Sequence, residues 1–340
     1  MYSEADLESA VASGVLSSAA AAALRGHVSG LRATPMVDEE NFRLVTGFND
    51  IFVAIAGVLL LVGAAWIGGE MHPALGGAAV AAIAWGLSEY FTRARHMALP
   101  SILFLLAFVG GVFATCITLL SDHGVNEGDR MDALMVAVSA AITVGAAYAH
   151  WRRFEVPITI AAGVAALAGV VVALLMAAAP GVEQWLNPFL LLIGVGVFGF
   201  AMRWDMQDRA RTTRKSDVAF WLHLLAAPMI AHPIFVTLGL LDGNASVSTA
   251  LIVVALYVVM GIVALAVDRR ALLVSALAYV ITAIIALFRE FGAVSLNVAL
   301  AIFVIGSALL LLSAFWQNAR ARVVGFLPDT VRDRLPPVGH

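Results

Sequence analysis

The sequence predicts an all-α polytopic membrane protein with about ten transmembrane helices. Three observations lead there. Of 340 residues, 61% are hydrophobic and only 13% charged, against about 25% charged in ordinary soluble domains, and mean hydropathy is +0.94. Ten apolar stretches reach or approach the roughly 20 residues that cross a bilayer core. Basic residues fall almost entirely in alternate loops. So few polar residues cannot cover a soluble fold of this size, which excludes a soluble enzyme, a nucleic-acid-binding module and a secreted disulfide scaffold.

The ten stretches, in order, are Ile51–Gly68, Pro73–Phe91, Leu99–Leu120, Ala133–His150, Val156–Ala178, Pro188–Met202, Val218–Leu241, Ser248–Val267, Ala271–Phe288 and Val294–Phe315. Runs this long and apolar must be helices, because lipid offers the backbone no hydrogen-bonding partner. The sixth is the shortest. Three segments are expected: a cytoplasmic helical hairpin and linker over 1–47, the ten-helix bundle over 48–316, and a basic amphipathic cytoplasmic tail over 317–340.

Orientation follows from arginine and lysine. With the N-terminus cytoplasmic, 18 of 20 basic residues lie inside and only Arg130 and Arg289 outside. The outer loops then carry Glu70, Asp122, Glu127, Asp129, Asp132, Glu183, Asp242 and Glu290. An odd span count would scramble this split, so both termini are expected to be cytoplasmic. The start, Met1 to Asp6, has no basic and apolar leader pattern and is not expected to be cleaved. The bias of cations toward arginine, with Lys215 the one lysine, and the abundance of alanine point to a bacterial inner membrane protein. Cys116 is the single cysteine, which excludes an intrachain disulfide.

Helices three to five and seven to nine look alike. Leu99 to Asp122 aligns loosely with Val218 to Asp242, and the basic turn His150–Trp151–Arg152–Arg153 with Asp268–Arg269–Arg270. An offset of four helices makes this a parallel repeat, not an inverted one. In the N-terminal hairpin, Ser3 with Asp6 is placed as a capping box. Gly14 is placed as a terminator, and Ser17 or Ser18 as the second cap. The hairpin either caps the bundle or docks a protein partner; Arg25, His27 and Arg32 are too few for nucleic acid. The tail alternates arginines with Val323, Val324, Phe326, Leu327, Val331 and Leu335, the pattern of an interfacial anchor.

The opening DLESAVASGVLSSAAAAALRGHV, with Gly14–Val15–Leu16–Ser17 at its turn and Phe48–Asn49–Asp50 before the first span, resembles a group of uncharacterised bacterial multi-spanning membrane proteins. Those proteins also begin with a cytoplasmic helical hairpin. The resemblance covers mainly the first 70 residues and the layout, and implies topology without site residues. The layout of ten helices with both ends inside is also similar to drug/metabolite transporters, which repeat five helices in inverted orientation; a parallel offset of four departs from that pattern.

No Asp, Glu, Lys or Arg lies in the middle of a predicted span, although coupled carriers commonly place one there. Glu89 sits at a span end beside Tyr90 and Arg93 and reads as an ion-paired boundary residue. Span seven carries His223, Pro228, His232 and Pro233. The histidines stand about 13 Å apart along a helix and on nearly opposite faces, so they cannot share a metal. Three readings stay open: a solute-facing group near carbonyls freed by Pro233, an axial haem ligand, or hydrogen-bonded glue between helices. Haem is disfavoured because the only other histidine within a span, His150, lies at a cytoplasmic end.

Tyr279 and Thr282 on span nine, with Thr115, Cys116, Thr118 and Tyr257, are further candidates to line the interior. Gly194, Gly196 and Gly199 on span six allow close helix approach. Arg209, Arg211, Arg214 and Lys215 are placed to hold an anionic lipid headgroup, and topology also explains them. His72, Asp122, His123, Glu127 and Asp129 are metal-ligand types in a spacing that fits no cage, so no metal is expected. No catalytic motif is present, and the chain is not expected to be an enzyme. Two functions compete: a permease-like transporter for a small neutral or amphipathic solute, and a non-catalytic membrane subunit or assembly factor. Expected partners are membrane lipids and a protein, with no nucleic acid.

Overall fold

The computed structural model describes residues 4–31, 48–121, 129–178, 181–209, 211, 213–239, 246–290 and 297–337. All regular structure there is helical. Two compact units are present. The first holds α1 (Glu4–Ala12) and α2 (Ser18–Leu31). Gly14 ends α1 in the left-handed region at φ 73°, which glycine enters without a Cβ clash. Ser17 caps α2 by accepting from Ala20 N at 3.1 Å. Ser3, and the side chains of Asp6, Arg25 and His27, lie outside the described residues, as do Arg32 and Arg43.

The second unit holds α3 (Phe48–Met71), α4 (Pro73–Leu87), α5 (Ala98–Ser121), α6 (Asp129–Phe154), α7 (Ile158–Ala178), α8 (Leu186–Gln207), α9 (Arg214–Thr237), α10 (Val247–Val267), α11 (Ala271–Glu290), α12 (Asn297–Ala314), α13 (Trp316–Gly325) and α14 (Asp329–Arg332). A π-helical turn, Ser88–Ala94, extends α4. Among the described residues, nine helices are long and apolar enough to cross a membrane, and α12 with α13 makes a tenth candidate bent by 74°. The chain is thus a multi-pass integral membrane protein. The loop residues Asp122, His123, Glu127 and Asp242, and the side chains of Asp129, Glu183, Arg289 and Glu290, lie outside the described residues.

Consecutive helices pair as antiparallel hairpins, most extensively α4 with α5, α6 with α7, and α8 with α9. Lateral packing joins α3 to α5, α7 to α9 and α9 to α11. The most enclosed span is α9, 56% buried against 17–39% for the others. Small residues set the closest approaches. A Cβ on Gly111 of α5 would meet Gly77 O of α4 at 2.7 Å, and one on Gly194 of α8 would meet the Met229 backbone of α9 at 2.9 Å. Gly196 and Gly199 face open space.

The four turns at the arginine-rich end share one device. Each holds a non-glycine residue in the left-handed region: His96 (φ 53°), Glu155 (φ 51°), Arg211 (φ 55°) and Asp268 (φ 60°). The signature recurs every hairpin, so it does not single out an offset of four helices. These tight turns bring the ends of neighbouring hairpins close enough for their polar side chains to meet.

Candidate functional site

Helix α8 runs five residues beyond the predicted end of its span. Gly194, Val197, Ala201 and Asp205 form one buried stripe on it, spaced to lie on one helix face. Asp205 closes the stripe with its side chain 1% exposed. From α9, His223 reaches it, Nε2 to Oδ2 at 2.8 Å. From the α10–α11 turn, the fully buried Arg269 pairs with Asp205 Oδ1 at 2.5 Å. Arg269 also donates to Ser216 O at 3.0 Å and Ser216 Oγ at 3.2 Å, at the start of α9. Phe198 closes over the His223 ring at 5.1 Å between centroids. His223 Nδ1 has no hydrogen-bond partner among the described residues.

A second layer adjoins it. Asp268 accepts from Trp316 Nε1 at 2.7 Å and Arg211 at 2.9 Å, and Arg320 Nε lies 3.6 Å away. Arg320 is fully buried and donates to the Pro336 and Pro337 carbonyls at 2.6 and 3.1 Å. Part of the tail therefore folds back on the bundle instead of facing headgroups. Asp208 accepts from the Thr213 N–H and hydroxyl at 2.8 and 2.7 Å, fixing the entry to α9. Buried charge in a lipid-embedded bundle is a functional-site candidate by default. Carboxylates and guanidiniums alternate in sign across the two layers, so opposite charge offsets part of the cost of burying them.

The sequence candidates are dispersed. His232, also on α9, is exposed and bonds Tyr279 OH of α11 through Nδ1 at 2.5 Å. Pro228 and Pro233 lie within α9, which stays helical through both. Thr282 bonds back to Ala278 O of its own helix, as do Thr115 to Gly111 O and Thr118 to Ala114 O. Three of the four headgroup candidates have protein partners. Arg209 donates to Leu335 O at 2.9 Å, Arg211 to Asp268, and Arg214 to Glu155 at 2.6 Å. Lys215 is exposed. Glu89 takes both Arg153 and Arg93. His72 caps α4 through Nδ1. Among the described residues no three His, Cys, Asp or Glu side chains gather as a metal would need.

The buried core of the site, Asp205, Arg269 and Ser216, and the partly buried Asp268 beside it escaped the sequence reading. Asp205 lay past a span cut short at Met202, and Arg269 read as a topology charge. The available signal was the i, i+4 stripe Val197, Ala201, Asp205, an apolar face ending in an acid.

An apolar cavity of about 190 Å³ lies between α8, α9, α10 and α11, against Phe198, Ala227, Ile230, Met260 and Leu272, and opens at the bundle surface past the exposed Val259 and Val263. Ala227 precedes Pro228 and Ile230 follows it two residues on. No known protein family, curated protein or solved structure matches the chain.

Proposed function

We propose that this membrane protein is permease-like and passes a small neutral or amphipathic solute through its α8–α11 half. The observation that carries this is the apolar cavity beside Pro228 on the central helix. A proline within a helix removes a backbone hydrogen bond and gives that helix a place to bend. A cavity walled by Phe198, Ile230, Met260 and Leu272 suits an uncharged body, and would strip a bare ion of water without replacing its contacts. The His223–Asp205–Arg269 network anchors one end of α9 and leaves the prolines to flex the other. In this reading the protein sits in a bacterial inner membrane with both termini cytoplasmic, and no cofactor is involved.

A second reading, a non-catalytic subunit or assembly factor, is favoured by that same network. It ties α8, α9 and the α10–α11 turn into one block, as a static scaffold would need. The α1–α2 hairpin, with Val15 78% exposed, would then hold a protein partner.

Thiol labelling separates the two. With Cys116 replaced by alanine, Ile230→Cys is expected to react with a small water-soluble thiol reagent from either side of the membrane, because a pathway must open there. Silence from both sides, with a stoichiometric protein companion in native mass spectrometry, would replace the permease reading by the subunit one.

A further inference from the structure

The elbow between α12 and α13 encloses a second cavity, of about 130 Å³, that neither reading uses. Its walls are Leu273 and Leu277 of α11 and Leu309 and Leu312 of α12, and Trp316 of α13 lines it too. At the elbow the chain turns by 74°. A turn of that size takes a crossing helix and lays its continuation near the plane of the membrane. Arg270, also lining the cavity, stacks its guanidinium over Trp316 at 4.9 Å from the ring centroid. Trp316 is in turn held by Asp268, so the cation is positioned by a chain of fixed groups.

The cavity is therefore amphipathic along its length. A cation sits at the arginine-rich end, and Leu277 lies seven residues, or about 10 Å, further along α11. Val274, on the same lining, is 64% exposed. The cavity thus meets the bundle surface that lipid covers. Tyr257 and Ser313 also line it, but the wall is mostly apolar, and apolar cavities of this size accept small hydrocarbon bodies. In a bilayer the hydrocarbon at hand is an acyl chain, and the charge at the cavity's arginine-rich end selects an anionic headgroup.

We propose that this elbow binds one anionic phospholipid, its acyl chain entering the cavity and its phosphate accepting from Arg270. The site is separate from Arg209, Arg211 and Arg214, which bond Leu335, Asp268 and Glu155.

The test is native mass spectrometry of the delipidated full chain in mild detergent, offered equal amounts of phosphatidylglycerol and phosphatidylcholine with identical acyl chains. The expected result is one retained phosphatidylglycerol per chain, preferred about tenfold, as one charge-assisted hydrogen bond allows. Arg270→Gln should abolish the preference. Val274→Trp, which puts an indole across the mouth from an exposed position, should abolish retention of both lipids. Equal retention of the two lipids by the native chain would overturn the proposal, as would an undiminished preference in Arg270→Gln or undiminished retention in Val274→Trp. If Arg270→Gln does not fold, the native competition and Val274→Trp decide alone.

Discussion

The helices α3–α7 and α8–α13 are built from the same hairpin, yet they bury different chemistry. In α3–α7 backbone packs directly against backbone at Gly76, Gly77 and Gly111. The main ion pair there, Glu89 with Arg153, is partly exposed at 33% and 41%. Its fully buried histidine among the described residues, His150, sits among Trp85, Phe108 and Phe154. In α8–α13, Asp205, Arg269 and Arg320 are all but sealed from solvent. Van der Waals packing of small residues holds a membrane bundle without desolvating any charge. Buried ions each cost several kcal/mol before their partners offset it. Among the described residues the first half buries one carboxylate, Asp50 at 2% exposed, whereas the second half buries Asp205 together with Arg269 and Arg320, so the second half carries most of that cost and is the place to look for something beyond folding.

The comparison breaks most directly at Asp205. Asp205→Ala leaves Arg269 buried without its carboxylate and is expected to cost about 3–5 kcal/mol. The readout is loss of monodisperse protein on size exclusion and a lower Tm in detergent. Asp205→Leu combined with Arg269→Met removes both charges and should recover most of that stability. If the double variant folds but the Ile230→Cys labelling pattern disappears, the charges serve motion and not assembly. A stable Asp205→Ala would mean the network is wet, and the contrast between the halves would fall.

The left-handed turns sharpen it with one substitution made twice. Asp268→Gly relieves the backbone but deprives Trp316 of its acceptor and Arg211 of its ion pair, leaving Arg211 the Val267 and residue-268 carbonyls, for an expected loss of about 2–3 kcal/mol. Glu155→Gly relieves the same conformation, and its ion pair with Arg214 is 67% and 62% exposed. Exposed pairs contribute about 0–1 kcal/mol, so Tm should stay unchanged or rise. Equal losses at both turns would show that the conformation, not the side chain, requires the acid.

Gly111→Ala tests the first half on its own terms. The added methyl meets the Gly77 carbonyl and Ala81 N at 2.7 and 2.8 Å. Two backbones must separate to admit it, at about 1–2 kcal/mol. The thermal midpoint should fall, with the α8–α13 labelling pattern intact.

The fold class could be read from composition because lipid leaves the backbone one solution per apolar run. The ends of those runs could not. Hydropathy stops a span at its first polar residues, so Arg203 and Asp205 closed the sixth helix at Met202, although α8 continues to Gln207. That choice hid the site. A carboxylate three residues beyond an apolar run looks solvated until a guanidinium from another hairpin is known to reach it. Arg269 is 64 residues from Asp205 in sequence, and no local pattern ties the two. His223 stood out because histidine is rare in a span, while its partner came from a segment read as a loop. His232 stood out for the same reason, and it meets Tyr279 at the exposed face of α9.

The smallest effect compares the two buried histidines. His150 offers Nδ1 to Thr159 at 3.4 Å, a long contact, and its Nε2 has no partner among the described residues. Burying an unsatisfied ring nitrogen is unfavourable, and the surrounding rings accept an aromatic of similar size. His150→Phe should therefore leave Tm unchanged or raise it slightly. His223→Phe takes from Asp205 a bond of 2.8 Å and leaves Arg269 as its remaining partner in the core, for an expected loss of about 1 kcal/mol. A differential scan of both variants in one detergent gives the comparison directly. A large loss at His150 would mean that its free nitrogen has a partner in the membrane, a bound water or a ligand, and would move the search for function into α3–α7.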